Sequence, residues 1–216
     1  GEGMRSWSHA DCLPYFKKAE SLDLGGDDYR GGDGPLRVTA GRMRNPLFKA
    51  WLAAGCEAGY PLSDDTNGAQ QEGIGRMDMT VGAGRRFSAA RAYLHPVRDR
   101  PNLQVIIRSQ VSRVLIEDGS AVGVEITRDC KVEERRVARE VILSGGAINS
   151  PQLLMLSGIG PGDHLAINEI PVVHDLPGVW ANLQDHLEIY IQYACNKPVS
   201  LYGVQNPLRK ILIGLE

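Results

Sequence analysis

The stretch EVILSGGAINSPQLLMLSGIG, Glu140 to Gly160, decides how this chain is read. Val141 to Ser144 form a continuous apolar run of the kind buried in a parallel sheet. Gly145 and Gly146 let the backbone turn sharply and let another group approach it closely. Ser150 is placed to cap a helix and Pro151 to occupy its first position, which leaves unpaired N–H groups facing the crevice beside the turn. Gly158 then closes that helix. A strand, a glycine turn and a helix start together make the arrangement that receives a nucleotide at the edge of an α/β sheet. The same arrangement also joins strand to helix in α/β proteins that bind nothing there, so the pattern alone leaves both readings open.

Upstream of this stretch the period is strand-like. LQVIIRS (103–109) reads as a strand, VSRVLIED and AVGVEITRD read as a hairpin about Asp118-Gly119-Ser120, and EERRVAREVILS supplies one more run. A small antiparallel meander, about residues 102–144, therefore sits between two buried strands. Such an insertion is natural in flavin-binding proteins that carry a meander on their main sheet.

Further upstream the period is helical. SHADCLPYFKKAE reads as a helix capped by Ser8, with Asp11 three residues on, Leu13 and Phe16 on one face and Ala19 completing it. In NPLFKAWLAAGCEAGY, Asn45 can cap, Pro46 suits the first position, and Leu47, Phe48, Trp51 and Leu52 form a stripe that reads as core. SAARAYLHPVRDR reads as a helix capped by Ser88 that Pro96 ends or kinks. GGDDYRGGDGPL and PLSDDTNGAQQEGIG read as polar loops.

Composition narrows the classes. With 216 residues, 43% hydrophobic and 23% charged, the chain can bury a substantial core in one or two domains. Lys and Arg number 24 against 26 Asp and Glu, so no field favours a polyanion, and nucleic acid is not expected as a partner. No window approaches the 18 or so apolar residues of a membrane span, so no transmembrane segment is expected. Cys12, Cys56, Cys130 and Cys195 are widely spaced without a C-x-x-C pair, which argues against a zinc site and for buried free thiols in a reducing compartment. His9, His95, His164 and His174 show no spacing that suggests a metal or a triad and read as structural. The dinucleotide fingerprint is missing, because GIGPGD has Asp163 where the third glycine belongs and follows a helix instead of a strand. The opening Gly-Glu-Gly and the apolar rhythm of the closing LRKILIGLE read as the borders of an excised piece.

GAINSPQLLMLSGIG, Gly146 to Gly160, resembles the second signature of the glucose-methanol-choline flavoprotein oxidoreductases along its whole length. CLPYFKKAE, YRGGDGPLRV, NGAQQEGIGRMDMT, SAARAYLHP, VSRVLIED, LPGVWANLQDHLEIYIQ and PLRKILIGLE extend the resemblance over essentially the entire chain, toward the animal mitochondrial branch that oxidises choline. The resemblance implies an α/β fold with a mixed sheet. Residues 1–185 would be part of an FAD-binding domain that includes the meander, and 186–216 would be the start of a substrate-binding antiparallel sheet. It implies FAD as cofactor and choline or a similar small alcohol as substrate, oxidised to the aldehyde by hydride transfer to the flavin. It also implies a respiratory-chain electron acceptor and a mitochondrial location associated with the inner membrane.

Residue by residue, Val111 falls in the strand that resembles the segment meeting the adenine of FAD. Ser144, Gly145, Gly146 and Ala147 resemble a turn bordering the nucleotide half of the cofactor. No catalytic residue is expected in this chain: the general-base His, like the glycine fingerprint, is expected in a longer protein, and His186 is not that base. Trp180 departs from the family pattern, which has a glycine or another small residue there, and so leaves the backbone of its turn open. In HLEIYIQYAC (186–195) alternation predicts a strand with one buried face, presenting Glu188 and Tyr190 on the other. A quaternary ammonium donates no hydrogen bond and is recognised by aromatic faces and a carboxylate, so Glu188 is the candidate substrate-binding carboxylate, against the alternative of a solvated strand residue. A different alcohol, or a non-catalytic piece that binds a partner, are the other functions considered.

Overall fold

The computed structural model describes residues 5–200. They form two compact units, one comprising 5–104 with 192–200 and the other 105–191.

In the first unit a short 3₁₀ turn, Arg5–Trp7, leads into α1, His9–Ala19. Ser8 caps α1 as its sequence suggests: its Oγ accepts from the Asp11 N–H and donates to the Asp11 carboxylate. Strand β1, Glu20–Leu22, follows, then β2, Leu36–Ala40, and α2, Pro46–Glu57. Asn45 accepts from the Leu47 N–H, and Pro46 takes the first turn. Two-residue strands complete the unit: β3, Leu62–Ser63; β4, Ile74–Gly75; β5, Asp78–Met79; β6, Val81–Gly82; and β7, Arg85–Arg86. A parallel β1–β2 pair is extended by antiparallel β5, β3 pairs with β4, and β6 with β7. SAARAYLHP folds as a π-helical turn, Ala90–Leu94, followed by a 3₁₀ turn, His95–Val97, that contains Pro96. The Arg91 N–H donates to Ser88 Oγ at the entry.

The apolar stripe of α2 is not core. Leu47, Phe48 and Trp51 are exposed, because α2 meets β4 at its C-terminal end, where the absent side chain of Gly55 makes room for Ile74. The thiols also differ from expectation. All four are free, but Cys56, Cys130 and Cys195 are exposed and Cys12 is half-buried.

The loop between β1 and β2 carries the main polar interaction of this unit. Arg30, 4% exposed, sends Nε and Nη2 to the two oxygens of Glu20 at 2.9 and 3.0 Å. Its Nη1 donates to Asp65 at 2.7 Å and to Asp78 at 2.9 Å. These hydrogen bonds, to Glu20 first and then to Asp65 and Asp78, hold the guanidinium pKa above its ordinary value. Asp27 accepts the N–H groups of Tyr29 and Arg30, turning the loop so that Arg30 points inward. Gly31 is required by close approach: a Cβ there would lie 2.0 Å from the Lys17 carbonyl oxygen at the end of α1.

In the second unit β8, Gln110–Glu117, β9, Ser120–Arg128, and β10, Lys131–Arg136, form the expected antiparallel meander in the order β10-β9-β8. Both connections are two-residue turns, closed by Glu117↔Ser120 and Arg128↔Lys131. Asp118, Gly119, Asp129 and Cys130 all have positive φ, which matches the twist of the flanking strands. The helix α3, Gly146–Leu156, follows, then β11, Ile159–Gly160, α4, Gly162–Ile167, and β12, His174–Asp175, which is parallel to β11. Val114, Leu115 and Ile126 are buried, and so are Leu165 and Val179.

Two expected strands do not form. Residues 103–109 and 141–144 are irregular, and neither pairs with a strand among the described residues. A strand exists through its ladder hydrogen bonds, and without a neighbour the apolar runs stay partly open, Ile107 at 66% and Ile142 at 77% exposure.

Replacing Arg30 by Met is expected to cost about 3 kcal/mol or more, since it leaves three carboxylates facing one another. Hydrogen exchange checks this through lost protection at the Leu22, Asp23 and Gly34 amides, which the β1–β2 region bonds. The Asp27 carboxyl is held below the ordinary carboxylate value by the Tyr29 and then the Arg30 N–H groups. Its stabilisation is therefore present above the unfolded pKa and lost as pH falls through the lower folded value. Asp27→Asn should flatten that acid limb in a pH series of thermal melts.

Candidate functional site

The start of α3 and the backbone leading into it line a cavity of about 630 Å³ in the second unit. Val111, Glu140, Leu143, Ser144, Gly145 and Ser150 are among its walls. The helix begins earlier than its sequence suggests. Gly145 is the N-cap and Gly146 the first residue, so Ser150 and Pro151 lie inside α3 and not at its border. Ser150 still serves the helix start, because its Oγ accepts the Gly145 N–H at 2.9 Å. Pro151 removes one internal N–H bond, and the first turn retains the unpaired N–H groups of any helix start.

Gly146 has φ +88°, a left-handed conformation that a side chain resists, and a Cβ there would meet nothing within 4 Å. A Cβ on Gly145 would lie 3.1 Å from Asn149 Cβ and 3.2 Å from the Ser150 nitrogen. The turn is thus narrow inside and open outside. At the far end of α3, Gly158, φ +80°, ends the helix. Just before it Ser157 Oγ donates to the Leu153 carbonyl at 2.6 Å and accepts the buried Val114 N–H at 2.8 Å. That hydroxyl fixes α3 on β8 and with it the distance between the helix start and Val111.

Of the residues singled out from sequence, Val111, Ser144 and Gly145 share this cavity. Gly146 and Ala147 open α3, and Ala147 faces a smaller apolar cavity of about 200 Å³ beside Pro151, Leu154 and Trp180. Glu140, Asn149 and Gln152 also line the larger cavity. Sequence gave no sign of them, since each follows from where the helix starts. Trp180 answers the doubt about its turn: it stands at φ +69°, half exposed, followed by Asn182 at +57°.

Glu188 is elsewhere in the chain's organisation. Residues 186–195 form no strand, and both faces of the alternating segment are exposed, Leu187 at 95% and Ile189 at 81%. Ladder partners are what would bury one face, and none of the described residues supplies them. Tyr190 donates its hydroxyl to the Glu188 carboxylate, which raises the phenol pKa above its ordinary value. No cluster of His, Cys, Asp and Glu among the described residues could hold a metal ion, and no helix among them is long and apolar enough to cross a membrane.

The cavity is lined by polar and apolar side chains in nearly equal measure, with main-chain groups free of a ladder and a helix start at one end, and has room for a flat heteroaromatic ring. The chain belongs to the GMC oxidoreductase family, whose model matches residues 1–188. FAD is the cofactor this membership assigns, and the chain is similar to an FAD-dependent oxidoreductase from Chaetomium thermophilum: TM-score 0.76, 28% identity, 82% of this chain and 33% of that one. It is 58% identical to mitochondrial choline dehydrogenase of Mus musculus over 215 residues, all of this chain and 36% of that protein. It is 51% identical to an oxygen-dependent choline dehydrogenase of Burkholderia ambifaria over 217 residues, 38% of that protein. The chain therefore spans little more than a third of the relatives it matches.

Ser157→Ala should leave the buried Val114 N–H without an acceptor, at a cost of about 1–3 kcal/mol. Denaturant titration of the variant checks it, and Ser157→Thr, which keeps the hydroxyl, should recover part of the loss.

Proposed function

We propose that this chain contributes the nucleotide-facing part of an FAD-dependent oxidoreductase that converts choline, or a primary alcohol like it, to the aldehyde. The observation that carries the reading is the cavity in which Val111, Ser144 and Gly145 meet beside the start of α3. The relatives named choline dehydrogenase support the substrate class, and the mouse relative supports a mitochondrial location.

In this reading Val111 and Leu143 would hold the adenine between apolar surfaces, and the unladdered main chain of 140–144 would offer it hydrogen bonds. Ser144, Gly145, Gly146 and Ala147 would border the adjoining sugar and phosphate, with the small residues allowing close approach. FAD, when bound, supplies the acceptor for the hydride that leaves the alcohol carbon. The hydroxyl proton must go to a base, which we assign to a His in the part of the relatives' length that this chain does not span, and electrons then pass on to the respiratory chain at the inner membrane. Residues 1–185 would belong to the FAD-binding domain and 186–216 would begin the substrate-binding sheet, a division supported by the family match over 1–188. Within that sheet Glu188 would face the quaternary ammonium group. The 216-residue chain alone would not turn over alcohol.

Two measurements on the full-length enzyme test this. Gly145→Val, which fills the turn where Asn149 and Ser150 crowd it, should lower the FAD content of purified protein several-fold; unchanged flavin content removes the cavity from the reading. Glu188→Gln keeps the shape and removes the charge. The cation is the same in ground and transition state, so the loss should appear in KM, by roughly 10- to 100-fold for choline. The neutral isostere 3,3-dimethylbutanol should be affected far less. An unchanged KM for choline removes Glu188 from the site.

A further inference from the structure

Strand β8 ends the meander on one side among the described residues, and it is not regular. Val111 pairs with Ile126, and Arg113 pairs with Glu125, the adjacent residue on β9, so Ser112 is an extra residue that forms a bulge. Its hydroxyl lies 3.3 Å from that of Thr127, the Cα partner of Gln110. The register shifts a second time between Leu115 and Ile116. Residues 113–115 are the regular stretch between the two shifts, and Val114 is the middle one.

An edge strand turns every second N–H away from its neighbour, and such groups recur about 7 Å apart. On a regular strand a helix end could dock at any of them. On β8 the two that flank Val114, at Ser112 and Ile116, both fall at register shifts. The Val114 N–H donates to the buried Ser157 Oγ at 2.8 Å, and that hydroxyl donates to the carbonyl of Leu153, itself a wall of the cavity.

We infer that Ser112 and Ser157 are positioning residues for the cofactor: the bulge sets Gln110 and Val111 at the cavity, and the Ser157 hydroxyl confines α3 to one register on β8. The inference rests on the reading of this cavity as the FAD site. Neither serine is among the cavity walls, so both act through residues that are, Val111 and Gly145. Moving α3 to the next outward N–H would carry its start about 7 Å along β8, and Val111 and Gly145 would no longer share a cavity. The bulge is the second constraint. Without Ser112 the pairing would run regularly from Gln110 to Leu115, and the strand would lose the bend and added twist that a bulge introduces.

Titration of the flavin-depleted full-length enzyme with FAD tests both residues. Ser157→Ala should raise the FAD dissociation constant roughly tenfold, and Ser157→Thr, which keeps the hydroxyl, should restore affinity in part. Leu165→Ala empties a fully buried site in the same unit and costs at least as much stability, yet it should leave FAD affinity unchanged. Equal losses of affinity in Ser157→Ala and Leu165→Ala show a merely structural hydroxyl and overturn the inference. Deletion of Ser112 keeps the β8–β9 partners and closes the irregularity, so the thermal melt should hold while FAD affinity falls roughly tenfold. This arm decides the matter if Ser157→Ala fails to fold. A deletion variant that binds FAD as tightly as the parent, or whose melt falls in step with its affinity, overturns the inference. Gly145→Val separates it from the reading beneath it. Flavin lost in Gly145→Val but kept in Ser157→Ala and in the deletion leaves the cavity in place and removes the positioning role, whereas flavin kept in all three removes both.

Discussion

One guanidinium organises the first unit. Arg30 is almost fully buried and gathers carboxylates from β1, from the loop after β3 and from β5. None of these segments is long enough to be stable by itself, since β3 and β5 are two residues each. A buried ion cluster of this kind adds little net stability over an apolar replacement that fits, but it penalises every arrangement in which one member is missing. The loop that carries Arg30 must therefore close, and Asp27 and Gly31 are the residues that let it. Asp65 and Asp78 in turn hold Asn67 through its N–H and its side-chain amide. Asn67 is one wall of a polar cavity of about 410 Å³ with His9, Tyr29 and Gln71. Position, more than strength, is what the cluster supplies.

The second unit obtains position differently. Its meander is a self-sufficient ladder with tight turns, and α3 is fixed to it by the bifunctional hydroxyl of Ser157. The cavity beside Val111 follows from that attachment, because moving α3 along β8 would separate the helix start from the strand. The segment 140–144 follows the meander in sequence, lines the cavity and carries no ladder of its own among the described residues. Its main-chain groups add hydrogen-bonding capacity to a wall that Ser144, Asn149, Ser150 and Gln152 also line.

Local signals were legible in the sequence where the cause is local. Ser8 and Asn45 cap their helices because capping needs only a side chain and the next turn, and the meander appears because its turns and alternation lie within about thirty residues. Burial was not legible where it depends on distant neighbours. The stripe Leu47, Phe48, Trp51 has helical spacing but no covering surface among the described residues, and 141–144 and 186–195 have strand composition without partners. The start of α3 departs from the local signal for a related reason: Ser-Pro is a strong start signal, and the helix overrides it by letting Ser150 accept the Gly145 N–H from inside. Arg30 carried no signal at all, since a polar loop rich in glycine and aspartate gives no sign that its one arginine turns inward.

Trp180 shows how local strain and packing are balanced against each other. A bulky residue at φ +69° sits in a conformation costing roughly 1–2 kcal/mol relative to the right-handed one. Glycine would avoid that cost, since it has no Cβ to clash in this conformation. The structure keeps the tryptophan because its neighbours constrain the backbone from both sides. The Val179 N–H bonds to the Leu176 carbonyl, the Ala181 N–H bonds to the Gly178 carbonyl, and the Val179 side chain is buried. The indole also stands between two apolar cavities along α3, of about 200 and 520 Å³, where it covers surface that glycine would leave open. At half exposure it recovers on the order of 1 kcal/mol by that contact, comparable to the strain. The turn is thus held by its hydrogen bonds and by Val179, and the tryptophan is tolerated at a position whose geometry favours glycine.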